Sequence, residues 1–169
     1  MKITNIEAIH LRIEDPNIGL FDGSYDDCVI RIHTDEGITG IGEVESLAPA
    51  IQAIVCSKPA HNHARGLREL LIGRDPTQPQ ELWQLMYEAT DYIGRRGLVM
   101  HAMGGIDIAL WDIKGQAEQK PISELLGGQH SQRIEAYGTI YPMGRTVESV
   151  EQQVEDALTR LQLRNIKFA

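Results

Sequence analysis

Several groupings in the sequence combine residue types and spacings that chemistry uses. His61-Asn62-His63 brings two imidazoles close together, as a metal site would. A bound metal needs three or four ligands, and no further ligand stands at a companion spacing, so both histidines are expected to be surface or capping residues. Gly37-x-x-Gly40-x-Gly42 is glycine-rich like a phosphate loop. Its glycine order is not that of a dinucleotide loop and no helix opens directly behind it, so turn formation and close packing are expected. Asp107 and Asp112 suggest a carboxylate pair. Five residues apart on a helix, they diverge by about 140° and cannot converge on one substrate. They are expected to salt-bridge Lys114 or Arg95 and Arg96, or to cap a neighbour. Glu43, beside Glu45, is expected to anchor backbone or an arginine. The polar, glycine-containing stretch Glu14–Asp27, around Phe21-Asp22-Gly23-Ser24-Tyr25, is long for an idle connection, and binding loops are the usual reason for such length.

These residues sit on elements that the hydrophobic pattern marks out. Ile9, Leu11 and Ile13 alternate with His10 and Arg12; Cys28, Ile30 and Ile32 alternate with Val29, Arg31 and His33. Both read as strands, and Gly37–Val44 reads as a third that returns from a turn at Thr34–Gly37 to form an antiparallel hairpin. A helical middle follows. Leu47–Val55 carries Pro49 early, where a first turn tolerates it. Leu67, Leu70 and Leu71 mark a helix closed by Gly73, and Thr77 with Gln80 has capping-box spacing before Leu82, Leu85, Met86 and Ala89. The strongest helix runs from about Leu98 to Glu118, where Val99, Met103, Ile106, Leu110, Ile113 and Ala117 form one apolar stripe widened by Ala102, Ala109 and Trp111. Pro121–Leu126 is a short helix closed by Gly127-Gly128.

Beyond the glycine pair the pattern changes. Arg133–Ile140 reads as a strand, and Thr146 caps a helix with Val147, Val150, Val154, Ala157 and Leu161 on one face. Asn165–Ala169 reads as a second strand. Strand, amphipathic helix and strand make a βαβ unit with a parallel pair. Parallel sheets are normally buried on both faces, so these residues are expected to be the front part of a longer protein.

Composition narrows the function classes. The 169 residues are 42% hydrophobic and 24% charged, as in an ordinary globular protein. The 16 Lys+Arg against 24 Asp+Glu give a formal charge of −8, which argues against nucleic-acid or anionic-membrane partners. No apolar run reaches the ~18 residues of a membrane span. Cys28 and Cys56 form no disulfide framework and no CxxC motif, and a cytoplasmic setting is expected.

The segment Gly97-Leu98-Val99-Met100-His101-Ala102-Met103-Gly104-Gly105-Ile106-Asp107-Ile108-Ala109-Leu110-Trp111-Asp112-Ile113-Lys114-Gly115, with Pro121 and Glu124-Leu125-Leu126-Gly127-Gly128 behind it, resembles the N-terminal domain of the mandelate racemase/muconate lactonizing group of the enolase superfamily. Met1-Lys2-Ile3, the hairpin Asp35–Glu43, and Asp75-Pro76 before Leu82-Trp83 agree with it. The resemblance implies an α+β capping domain over 1–128, an antiparallel three-stranded meander followed by helices. Over 129–169 it implies the start of a TIM-type barrel: strand, helix, strand. In such barrels the active site lies at the C-terminal ends of the strands. Two cap loops, here about Asn17–Asp26 and about Glu45–His61, close it, which places Phe21, Ser24 and Tyr25 against substrate.

The implied chemistry is abstraction of the proton α to a carboxylate, with magnesium stabilising the enediolate and a lysine or histidine as base. A lysine serves as base only if its pKa falls well below ~10.4. The family often ends its second barrel strand with Lys-x-Lys; here Lys167 matches the first lysine and Ala169 replaces the second. Lys167 is therefore the catalytic candidate, and Thr139, ending the first barrel strand, is a candidate hydrogen bond to substrate. No metal ligand is assigned in this segment, and those for Mg2+ are expected beyond residue 169. The loss of the second lysine favours dehydration of a sugar acid, an aldonate or aldarate. A racemase, epimerase or cycloisomerase of the same superfamily is the alternative. An alternative of another class is a non-catalytic capping or association module, if the chain really ends at 169. A small carboxylate substrate and a homo-oligomer are the implied partners.

Overall fold

The computed structural model of the chain describes residues 1–12, 26–128, 133–141 and 146–168. Three antiparallel strands come first: β1 (Ile3–Arg12), β2 (Asp26–Thr34) and β3 (Thr39–Val44), in the order β1-β2-β3. The helices α1 (Ala48–Cys56), α2 (Leu67–Leu71), α3 (Pro79–Ala89), α4 (Leu98–Glu118) and α5 (Ile122–Leu125) follow. A second compact unit holds β4 (Tyr137–Ile140), α6 (Val147–Thr159) and β5 (Asn165–Phe168), with β4 and β5 parallel. Among the described residues no helix is long and apolar enough to cross a membrane.

Alternation along β2 assigns one face of the sheet to the core, but on β1 the expected row is the outer one: Ile9 and Leu11 pair with Val29 and Asp27, Leu11 is 49% exposed, and Ile6 and Ala8 face inward. Ile6 pairs with Ile32, Ala8 with Ile30 and His10 with Cys28, while the same rows continue onto β3 as Gly40, Gly42 and Val44. The two β3 glycines let α4 lie directly on the strand. A Cβ on Gly42 would strike the Gly105 carbonyl oxygen, one on Gly40 would strike that of Ala109, and one on Gly105 would strike Val44. Close packing is therefore the role of the glycine-rich hairpin. Gly37 takes φ 82° in the turn, a conformation that glycine adopts without steric cost.

The α4 stripe is buried from Val99 to Ile113, with Ile106, Leu110 and Ile113 wholly inside. Ala117 departs from expectation and is exposed; the inward residue of the last turn is Gly115, which packs against the Lys120 carbonyl as the chain folds back. Ile3, Ile51, Leu67, Leu71, Met86 and Met103 complete the core, each burial contributing roughly 1.5–3 kcal/mol.

Two local expectations change. The Thr77 capping box does not form: α3 opens at Pro79 with no side-chain cap, and Asp75 Oδ1 instead accepts the Thr77 N–H at 3.0 Å and its hydroxyl at 2.8 Å. This Asx turn competes successfully for the donors near the helix start. The strand read over Arg133–Ile140 shortens to β4, because its only described partner, β5, begins opposite Tyr137. Thr146 does cap α6, its hydroxyl accepting the Ser149 N–H at 3.3 Å.

Candidate functional site

In the second unit the parallel register pairs Tyr137 with Asn165, Gly138 with Ile166, Thr139 with Lys167 and Ile140 with Phe168. Alternate residues leave opposite faces of a strand. Gly138 marks the packed face, since a Cβ there would lie 2.9 Å from Leu163 and 3.9 Å from Ala157 of α6. Thr139 and Lys167 therefore leave the other face together, side by side near the C-terminal ends of two parallel strands. Both are exposed, and among the described residues neither side chain has a hydrogen-bonding or ionic partner. The arrangement offers an adjacent hydroxyl and ammonium to a polar anionic molecule. Phe21, Ser24, Tyr25 and Ala169 lie outside the described residues.

In the first unit, the ends of β1 and β2 that flank the long loop carry a cluster that the alternation pattern did not single out. Arg12 Nη1 donates to Asp26 Oδ1 at 3.0 Å, and His10 Nε2 lies 3.1 Å from the same oxygen. The His10 imidazole, then the Arg12 charge, hold the Asp26 carboxyl below its ordinary range. His10 and Arg12 share a face by their spacing of two, a legible signal; that Asp26 stands opposite Arg12 depends on a register set across an unpatterned loop. On the far side of the sheet Glu7 Oε2 takes both Arg31 Nε and His33 Nε2 at 2.7 Å, which lowers its pKa.

Several of the remaining carboxylates have structural partners. Asp112 accepts the Ile41 N–H at 2.9 Å, satisfying the open edge of β3, and Gln116 Nε2 donates to the Thr39 carbonyl at 2.9 Å. Capping, rather than a salt bridge, is thus the role of Asp112; Lys114 instead pairs with Glu118 at 3.0 Å and donates to the Thr77 carbonyl. Asp107 is half-buried on α4, and burial pushes its carboxyl up. Glu43 meets Asp27 rather than an arginine; desolvation first, then that hydrogen bond, raise its pKa. His61 and His63 are exposed, with the His61 ring edge-on to Tyr92 at 4.9 Å. Among the described residues no group of three or more His, Cys, Asp or Glu is placed to hold a metal ion.

A three-stranded antiparallel sheet followed by helices is the architecture of a capping domain of the enolase type, and a parallel strand–helix–strand comes after it in the chain. Residues 24–127, more than half of the chain, match the N-terminal domain of mandelate racemase and muconate lactonizing enzyme, and the chain belongs to that family. It is 39% identical over 138 residues to a D-galactonate dehydratase of Verminephrobacter eiseniae, covering 79% of this chain and 34% of that protein. A magnesium complex of a mandelate racemase/muconate lactonizing protein from Paracoccus denitrificans superposes with a TM-score of 0.82 at 26% identity, over 99% of this chain and 41% of that one. The 3,6-anhydro-D-galactonate cycloisomerase of Zobellia galactanivorans superposes with a TM-score of 0.81 at 27% identity, over 99% and 42%. The chain spans about a third of the length of the curated dehydratase it matches.

Proposed function

We propose that these residues are the cap and the first strand–helix–strand of the barrel of an acid-sugar dehydratase, acting on an aldonate such as D-galactonate. The observation that carries the site is the pairing of Thr139 with Lys167 on the strand face away from α6. The 39% identity to a D-galactonate dehydratase supports the substrate class.

The difficulty in this reaction is the weak acidity of a proton α to a carboxylate, whose removal adds a second negative charge to the carboxylate oxygens. The Lys167 ammonium meets that charge as it develops, and a donor aimed at a developing oxyanion contributes about 10²–10³ in rate. Thr139 holds a substrate oxygen beside it. With Ala169 where the family often carries a second lysine, the base that takes the proton comes from elsewhere in the whole protein. Loss of the β-hydroxyl as water then leaves an enol that ketonises to the 2-keto-3-deoxy acid. Phe21, Ser24 and Tyr25 are proposed as substrate contacts on the strength of the family resemblance alone. Magnesium belongs to the whole protein in this reading. The described residues do not offer it a ligand set, and no step here is routed through it.

The test is incubation of the full-length gene product with D-galactonate and other aldonates and aldarates in magnesium buffer. The readouts are the 2-keto-3-deoxy product and α-deuterium incorporation in D2O. Product from an aldonate is expected, with kcat reduced on the order of 100-fold in Lys167→Met. Absence of both product and exchange with every sugar acid overturns the reading and leaves an association module. An isomer formed without loss of water points to the cycloisomerase alternative, which the likeness to the Z. galactanivorans enzyme supports.

A further inference from the structure

The connection from α1 to α2 stands apart electrostatically. In a chain of net charge −8, residues 46–68 contain no Asp or Glu and carry Lys58, Arg65, Arg68, His61 and His63. The connection is also firmly built. Its ends are tied by Gly66 N–H donating to the Ser57 carbonyl at 3.1 Å, and its tip by Ala60 N–H to the Ala64 carbonyl at 2.8 Å and Ala64 N–H to the His61 carbonyl at 3.1 Å. Gly66 has no room for a side chain between the Ser57 and Val55 carbonyls, so the two ends cross in contact. A compact surface loop with joined ends is an Ω-loop, a form frequently put to functional use. Arg65 Nη2 donates to the Asn62 carbonyl at 3.0 Å, and the edge of His61 on Tyr92 ties the loop to the α3–α4 connection.

Beside this loop lies a cavity of about 280 Å³. Its lining is largely apolar, with Ala53, Ile54 and Ile93, and the residues bearing polar or cationic side chains along it are Ser57, Lys58 and Arg65. No carboxylate lines it, and among the described residues the Lys58 ammonium has no partner. An apolar floor with a few convergent polar groups is the usual make-up of a small-molecule site, and this volume falls just under the ~300 Å³ at which such sites begin. The sign of the rim selects the ligand, because ammonium and guanidinium groups make charge-assisted hydrogen bonds to carboxylate and phosphate oxygens.

We propose that this cavity binds a small organic anion with an apolar body, the anionic head between Lys58 and Arg65 and the body on Ile54 and Ile93. The inference rests on the first unit alone; because Ser57, Lys58 and Ala60 fall within the expected second cap loop, competition with D-galactonate is the control that separates this cavity from the catalytic site.

Calorimetric titration of the full-length protein with benzoate, phenyl phosphate and the neutral isostere benzamide tests it. At least one anion is expected to bind saturably with a Kd on the order of 1 mM, and benzamide about 10-fold or more weaker. Lys58→Met keeps the stem and removes the charge; Ala53→Leu fills the floor from an exposed helical position. Each is expected to weaken anion binding about 10-fold with the melting temperature unchanged. A preference for benzoate or for phenyl phosphate assigns the head group as carboxylate or phosphoryl. Three results overturn the proposal: no saturation with either anion, equal binding of benzamide together with no effect of Lys58→Met, or competition with D-galactonate, which would merge this cavity with the catalytic site.

Discussion

In the first unit Ile6, Ile32 and Ile106 belong to one core and none is exposed at all, whereas among the described residues of the second only Ile140 and Ala157 are buried and Phe168 stays 56% exposed. Both units carry equally regular apolar patterns. The α6 stripe of Val147, Val150, Val154 and Leu161 is as clear in the sequence as that of α4, yet Val147 is 70% exposed. A pattern states which face is to be covered; only packing partners cover it. The sheet of the first unit has helices on its apolar face, while the parallel pair of the second has α6 on one face and Thr139 with Lys167 open on the other. Parallel strands are ordinarily covered on both sides, and among the described residues α6 covers one side alone.

The sharpest test of that contrast is truncation. Ile106→Ala should cost about 2–5 kcal/mol by chemical denaturation of the 169-residue chain, as a fully buried isoleucine does, and Val150→Ala under about 1 kcal/mol. Similar losses at both sites would break the comparison. Gly42→Ala should cost roughly 1–3 kcal/mol, at the upper end because the obstruction is the Gly105 carbonyl and backbone cannot step aside as a side chain would. The same substitution at Gly37, where a Cβ meets nothing within 4 Å but φ is 82°, tests conformation without crowding and should cost about 1 kcal/mol. Thr146→Ala removes the cap of α6 and should cost about 1 kcal/mol, read as a loss of helical signal confined to the second unit.

The smallest effect concerns pH. Asp26 and Glu7 have depressed folded pKa values, so their contribution is present above the unfolded carboxylate range and is lost as pH falls through the folded values. Asp26→Asn should therefore cost a little stability at neutral pH, where the carboxylate is ionised, and progressively less as pH falls below about 4, which flattens the acid limb of the stability curve. A loss as large at pH 7 as at pH 3 would show that Asp26 acts through geometry rather than charge.

Much of the fold was legible because it is written in short repeats. The four-and-three spacing from Val99 to Ile113 specifies the buried side of α4, the alternation of Cys28, Ile30 and Ile32 specifies the inner face of β2, and Thr146 announces α6. Each signal needs only residues within a turn or a strand's length of one another. The candidate site was legible in part. Thr139 and Lys167 were marked by family likeness, but their pairing is a register between strands with a helix between them. Asp112 could be excluded from a catalytic pair by helix geometry, yet nothing near it in the chain shows that it caps Ile41, 71 residues away.

By itself, then, the sequence determined most of the elements, the apolar faces of β2 and α4, and the family, since side-chain period and backbone conformation are local matters, whereas the inward face of β1 follows from its register with β2. Tertiary structure alone decided that Asp26 gathers His10 and Arg12, that α4 rests on Gly40 and Gly42, and that an acid-free loop folds over an apolar hollow. Those arrangements depend on which distant surfaces meet, and distance along the chain carries no energy until docking brings the groups together.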